Sequence, residues 1–420
     1  MQKLLYFSLT VYCIFYAFES PIRYGLSFAH ADAAIFIRDA LLALPLAGIA
    51  IRQILERRLH PAFIAFFAIV GLHGVVMVLN THSVLAVLYS AKMLMGMLAG
   101  AVASAYFFAP SRRMVMFFLV LWAVCLAGIA VDKYYADFPW TGMQTDIDGV
   151  QVDVSRNWQV TGDDKRAGGF MRSSINAAIF MPLLAFLLLF QQRNPYIKAV
   201  IAVGTAFALY WTTQKGAIIA YMAVLACLVM PPPWRLSLLR MGFFAFLNLM
   251  VALPLVLPGL HMPHADAAMM SFNLRVDATW PQGWRWIARH QAFPFGIGLG
   301  GLGGAQRLWS PGGYTVGDNM FLFLYANFGF LSLAYLGWLA VMVIRTRAGG
   351  TAAQCQAMAT LMFLIGYGCV LTVIEDQMAL LFLGASAAWL AMALIGQTAD
   401  TRLQEAGMQQ KELPAPALQH

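Results

Sequence analysis

The sequence predicts an all-α, polytopic membrane protein of about twelve transmembrane helices, with two long loops on one side of the bilayer. Three observations carry this. Of 420 residues, 61% are apolar and only 11% charged, and the mean hydropathy is +0.70. Apolar residues fall in repeated runs of about 15 to 26, close to the roughly 20 that cross a hydrocarbon core as a helix. Basic residues concentrate in alternate short connections. The composition excludes a soluble enzyme, a disordered chain and a disulfide scaffold. The net charge of +8, on so little aqueous surface, speaks for membrane orientation and phosphate binding rather than nucleic acid.

In chain order, spans are expected at 4–18, 33–51, 62–79, 84–108 and 114–131, forming an N-terminal set over 1–131. A first long loop over 132–174 follows, then spans 175–190, 196–211, 216–230 and 237–257 within 175–257. A second loop covers 258–317, spans 318–343, 356–374 and 378–395 fill 318–395, and a solvated tail occupies 396–420. The break between 211 and 216 has room for a re-entrant turn. The first span lacks a small-residue cleavage site and reads as retained. Cys13, Cys125, Cys227 and Cys369 lie in apolar runs and Cys355 in a short connection, which predicts no extramembrane disulfide framework. With a cytoplasmic N-terminus, the inner connections hold Arg52, Arg57, Arg58, Arg112, Arg113, Arg193, Arg235, Arg345 and Arg347. The outer turns 80–83 and 375–377 hold almost no basic residue. The positive-inside rule then puts both termini in the cytoplasm and both long loops outside.

Ionisable residues inside spans are expensive and usually line a cavity. Arg38, Asp39 and Lys92 are of this kind, and Glu19, Lys215, Asp318, Glu375 and Asp376 fall at outer helix ends. A cavity opening outward is one reading of Arg38, Asp39 and Lys92; a buried ion-pair network that ties helices together is the other. The outer loops add Arg156, Lys165, Arg166 and Arg172, then Arg275, Arg285, Arg289 and Arg307. These suit either lipid headgroups or an anionic substrate. Arg285 and Arg289 are spaced i, i+4 beside Trp284 and Ile287, which predicts a short amphipathic helix presenting paired guanidiniums suited to a diphosphate. Lys215 opens a span after Trp211, Thr212, Thr213 and Gln214, where free backbone N–H groups favour an anion; a snorkelling lysine is the alternative.

Other signals are weaker. Gly296-Ile-Gly298-Leu-Gly-Gly301 matches the dinucleotide fingerprint but follows Pro294 and Phe295 with no βαβ context, and reads as a tight loop over a membrane cavity. His261 and His264 have metal-compatible spacing without a third ligand nearby. His290, next to Arg289, is a candidate proton acceptor or substrate partner. Trp140, Trp158, Trp280, Trp284, Trp286, Trp309 and Tyr314 offer either sugar-stacking surfaces or interfacial anchors.

Several outer segments resemble a pattern in the bacterial O-antigen ligase and Wzy-type O-antigen polymerase superfamily. They are Arg166 to Phe170 with Ser173, Ser174, Asn176 and Ala177; Thr212 to Ala217; Trp286 to Gly300; and Gly317, Asp318, Asn319 with the span reaching Leu331. Similar stretches cover roughly residues 165–345. Ligases of this group usually carry His-Asn where this chain has Asp318-Asn319, and an arginine where it has Lys215, so the resemblance points first to a polymerase and second to a ligase.

The resemblance implies a GT-C-like membrane glycosyltransferase of the bacterial inner membrane with its site facing the periplasm. It would move a growing undecaprenyl-diphosphate-linked glycan onto a lipid-linked repeat unit, with inversion, without metal or other cofactor. Its partners would be the lipid-linked oligosaccharide and polysaccharide, the bilayer, a chain-length regulator and a flippase, and no nucleic acid. On this reading Lys215, Arg285 and Arg289, with Arg166 and Arg172, bind the diphosphate, and Asp318 and His290 act on the acceptor hydroxyl beside Lys215 and Arg289. Asn319, Glu375, Asp376, Arg38 and Lys92 would line the acceptor cavity. A transporter or flippase is the alternative from another class; it would show charges or discontinuous helices at mid-membrane depth.

Overall fold

A computed structural model describes residues 2–135, 137–147, 150–155, 165–258, 260, 269–310, 314–346 and 351–393. The chain begins with α1 (Gln2–Ala17) and α2 (Glu19–Phe28), which meet at an angle of 81°. Then come α3 (Ile37–Leu55), α4 (Pro61–Thr81), α5 (Val84–Val102), α6 (Ser104–Phe108) and α7 (Arg112–Tyr134). The first long loop holds a two-stranded antiparallel hairpin, β1 (Gln144–Ile147) and β2 (Val150–Asp153), with Gln144 opposite Asp153. It is the one departure from all-α structure among the described residues.

Next are α8 (Ser174–Gln191), α9 (Pro195–Thr212), α10 (Lys215–Val229) and α11 (Pro232–Val256). The second loop contains α12 (Met270–Leu274), a π-helical turn over Arg275–Thr279, and α13 (Trp280–Arg289). The chain closes with α14 (Met320–Phe328), α15 (Leu331–Arg345), α16 (Ala352–Gly368) and α17 (Gln377–Ala393).

The helix ends follow local chemistry. Ser83, Ser111, Ser173, Asn194, Asn319 and Thr351 each accept a first-turn N–H through the side chain, satisfying donors that a helix start leaves open. Proline sits in the first turn of α4, α9 and α11, where its missing N–H is no loss. Helices α8 and α16 are buried on nearly every face and form the centre, with α9, α10 and α11 packed around them. The outer helices turn apolar side chains outward, as Leu44, Phe67, Leu88 and Val120 show.

By length and hydropathy, six helices can cross a membrane: Asp32–Leu55 (α3 with its 3-10 lead-in), α4, α5, α7, α8 and α11; the bent α1–α2 pair would make seven. The protein is thus membrane-embedded, and among the described residues six or seven of the expected twelve spans meet these criteria. The difference is physical. The expected span 318–343 breaks at Gly329 into helices of 9 and 15 residues, and 356–374 ends at Gly368, leaving a helix of 17 residues. Helices α10, α15 and α17 are apolar but shorter than 18 residues.

The glycine-rich segment is not a loop over a cavity but a wedge inside the bundle. Ile297 N–H donates to Ala326 O (2.7 Å), Gly298 N–H to Asn327 O (3.2 Å) and Leu299 N–H to His73 O (2.9 Å). The Asn327 side chain accepts from both Gly300 and Gly301 N–H at 2.9 Å. Asn80 donates to Ile297 O (3.0 Å). The loop thereby fills the gap that the α14–α15 break opens beside α4, and Ile297, Leu299 and Leu302 are buried there. Its glycines serve backbone approach, not phosphate.

Candidate functional site

The site is assembled by one carboxylate near the end of α7. Asp132 accepts from Gly168 N–H (2.8 Å) and Gly169 N–H (2.9 Å). It also pairs with Lys165 (2.8 Å), which reaches Asp137 at 2.6 Å as well. Ala167 N–H donates to Trp211 O (3.2 Å), tying the same segment to the end of α9. These bonds set Arg166 beside the α9–α10 turn, where Thr213 takes a left-handed backbone (φ 57°). An expected result follows: Asp132→Ala leaves two glycine N–H groups without an acceptor, at about 1–3 kcal/mol each if they stay buried, and frees the segment. Trypsin should then cut after Lys165 and Arg166 faster than in the parent; unchanged cutting would show that Asp132 is not the anchor.

Arg166 forms no hydrogen bond through its buried Nε. Burial first, and the neighbouring Arg275 charge second, push it below the usual arginine range. Arg275 lies on the π-helical turn of the second loop, where its Nη1 donates to Ser271 O (2.8 Å) and Ser271 Oγ (2.7 Å). Its Nε stands 3.5 Å from Asp318 Oδ2.

Asp318 has φ 43°, a left-handed backbone that is strained for a residue with a Cβ, and it directly precedes the N-cap of α14. Burial raises the Asp318 carboxyl above its usual range, with Arg275 opposing. Its main-chain carbonyl accepts from Trp280 Nε1 (3.3 Å), which fixes α13 against the site. Tyr367 lies within electrostatic reach of Arg275, Asp318, Asp376 and Arg166. Its hydroxyl donates to Gln214 Oε1 (3.1 Å), and Gln214 donates to Ser174 Oγ (3.2 Å). Two guanidiniums, a strained carboxylate and a tyrosine from four separate stretches thus converge at the end of the bundle where α8, α10 and α14 begin.

The other expected residues fall into three groups. Lys215 is the exposed first residue of α10, next to Gln214. Arg285 and Arg289 lie on the exposed face of α13, whose buried face carries Trp280, Gly283 and Ile287. The amphipathic helix is therefore present, with its arginine pair on the exposed side. His290 packs between Trp286 (4.5 Å between ring centres) and Trp309 (5.5 Å), whose indole N–H groups are held by Gly301 O and Gly300 O.

Burial, then Arg289, push His290 below its usual 6.5. The fold therefore favours the neutral ring, and the unfolded chain binds its proton first as pH falls. Stability should decline as pH drops below about 6.5, and His290→Gln should flatten that decline; an identical pH dependence of the unfolding midpoint in both proteins would contradict this.

The expected acceptor-cavity residues are instead taken up by internal bonds. Glu19 pairs with Arg23 (2.8 Å) and Arg38 (3.0 Å), with Arg172 Nε at 4.0 Å. Asp39 pairs with Lys92 (3.0 Å) and accepts from Gln377 (3.2 Å). Arg38, Asp39 and Lys92 thus form the buried ion-pair ladder joining α2, α3 and α5. Asp376 accepts from Tyr16 (2.5 Å), Asn176 (2.8 Å) and the N–H groups of Met378 and Ala379, so it caps α17. Glu375 accepts from Gly304 N–H (2.5 Å). Asn319 is fully buried, capping α14 through Leu322 N–H and donating to Met250 O and Cys369 O. Helix ends and charges inside a low-dielectric bundle need these partners, and no local pattern announces it.

Sequence reasoning passed over Arg275 as one cation among eight, and did not mark Gln214 or Tyr367 as part of the site. The 43-residue separation of Arg275 from Asp318 leaves no local signal. Arg156, Trp158, His261 and His264 lie outside the described residues. No protein-family profile matches the chain, and no curated protein sequence matches it either.

Proposed function

We propose that this protein is a membrane glycosyltransferase that extends a lipid-diphosphate-linked glycan, a polymerase of the O-antigen, capsule or exopolysaccharide type. The observation that carries the reading is the Arg166–Arg275–Asp318 cluster, with Arg275 3.5 Å from the carboxylate and Arg166 beside it. Two half-buried guanidiniums suit a ligand with several anionic oxygens. A carboxylate at the same point suits an acceptor hydroxyl that must be oriented and deprotonated.

In this mechanism Arg275 and Arg166, with Lys215 at the rim, bind the donor diphosphate. They stabilise the negative charge that grows on it as the anomeric C–O bond breaks. Asp318 orients the acceptor hydroxyl and takes its proton as the new glycosidic bond forms with inversion. The reading requires no metal or cofactor. Helices α9, α10, α16 and α17 and the broken α14–α15 pair would complete twelve crossings in a GT-C-like arrangement, with both termini in the cytoplasm and the site facing the periplasm of an inner membrane.

A transporter is the second reading, because the α14–α15 break with its inserted glycine loop is a discontinuous helix within the bundle. Against it, the break is filled: Ile297 and Asn327 are almost completely buried. The test is incubation of the purified protein with a synthetic lipid-diphosphate-linked repeat unit, with lipid-linked products resolved by gel. A ladder supports the polymerase. No extension, followed by transfer once a core-lipid acceptor is added, makes it a ligase. No reaction with any donor moves the assignment to transport.

A further inference from the structure

The opposite end of the bundle, where α11 and α16 start and α15 ends, holds a second orphan cation. Arg240 lies on α11 about 12 Å along the axis from Pro232, at 1.5 Å per residue. Its Nε and Nη2 are both shielded from solvent and have no hydrogen-bond partner. The helices packed on α11 are α10, α14, α15 and α16. The Cys355 thiol on α16 lies within electrostatic reach of Arg240, and among the described residues no carboxylate does.

Cys355 lies within electrostatic reach of both Arg235 and Arg240, which are five residues apart on α11. Arg235 spends its Nε on Met230 O (2.6 Å) and keeps its terminal nitrogens for another acceptor. The surface beside them is apolar: Trp234 is 65% and Met241 67% exposed. A shielded guanidinium without an anion is costly, and on a lipid-facing surface the abundant anion is the phosphate of a phospholipid. Tryptophan at headgroup level marks the same boundary, and the arginine stem is long enough to reach up to it.

We propose that Arg240, with Arg235, forms a binding site for the phosphate of an anionic phospholipid, independent of the chemistry at Asp318. The site couples folding to the lipid composition of one leaflet, since the guanidinium is stabilised only when the headgroup is present.

The test uses the full-length protein in vesicles of phosphatidylcholine alone and of equal parts phosphatidylcholine and phosphatidylglycerol, beside Arg240→Leu. In phosphatidylcholine, Arg240→Leu should unfold at the same temperature as the parent or higher, because a partly buried charge with two unpaired nitrogens has been removed. In phosphatidylglycerol the order should reverse. Native mass spectrometry should show retention of phosphatidylglycerol falling at least about tenfold in the variant. An equal response of both proteins to phosphatidylglycerol, or none in the parent, overturns the site. If inorganic phosphate added to the phosphatidylcholine vesicles gives the same stabilisation, the ligand is a soluble phosphate and the phospholipid assignment falls.

Discussion

Arg275→Ala should reduce extension of a lipid-diphosphate-linked substrate by at least about 100-fold in kcat/KM, the loss typical of removing one preorganised charge donor from a developing anion. Arg275→Lys should recover only part, since a point charge cannot hold Ser271 and a ligand oxygen in the planar geometry of a guanidinium. A second readout separates binding from base chemistry. Arg275 opposes the burial that raises the Asp318 carboxyl, so its removal should raise that carboxyl further. A base must be deprotonated to act, so the acid limb of the pH–rate profile should move to higher pH in Arg275→Ala.

Asp318→Asn should lose activity to a similar degree while folding normally. Asparagine adopts the left-handed backbone at φ 43° at least as readily as aspartate, and a partly buried charge is removed. An active Asp318→Asn protein would remove the carboxylate from the mechanism. Unchanged kinetics in Arg275→Ala would remove the cluster from the function altogether.

Gly298→Val should abolish recovery of folded protein. Gly298 has φ 109°, and a Cβ there would strike the backbone of Met77 on α4. Neither atom set can move without opening the α4 contact that Leu299 N–H makes with His73 O. Asn327→Leu attacks the same wedge from the other side. It leaves the N–H of Gly300 buried without an acceptor, at about 1–3 kcal/mol, and leaves that of Gly301 with Gly298 O alone.

Gly337→Ala is the control, because a Cβ at Gly337 meets open space and alanine is favoured in a helix by about 1 kcal/mol. The measurement is the monodisperse peak height and unfolding midpoint of detergent-purified protein. A Gly298→Val protein with a parental midpoint would show that the loop is not wedged between α4 and the α14–α15 break.

The helical content was legible because the sequence repeats apolar runs of near-membrane length, and a backbone in hydrocarbon must satisfy its own hydrogen bonds. The amphipathic character of α13 was legible for a similar reason, since Arg285, Arg289, Trp284 and Ile287 repeat at helical spacing. What periodicity does not carry is the step from face to target. Arg285 and Arg289 share the exposed side of their helix, while Arg275, on the π-helical turn that precedes it, reaches Asp318. Periodicity reports which residues share a side; it carries no information on which helix lies opposite.

By itself, then, the amino-acid sequence determined an apolar, helix-built, membrane-embedded chain with its cationic segments gathered in two long loops. The tertiary structure alone decided which of those cations converge, which charges are spent on holding α2, α3 and α5 together, and where apolar runs break. The physical reason is that an apolar run is specified residue by residue. The Arg275–Asp318 contact, the Glu19–Arg38 pair and the glycine wedge exist only where packing brings distant stretches within a few ångströms.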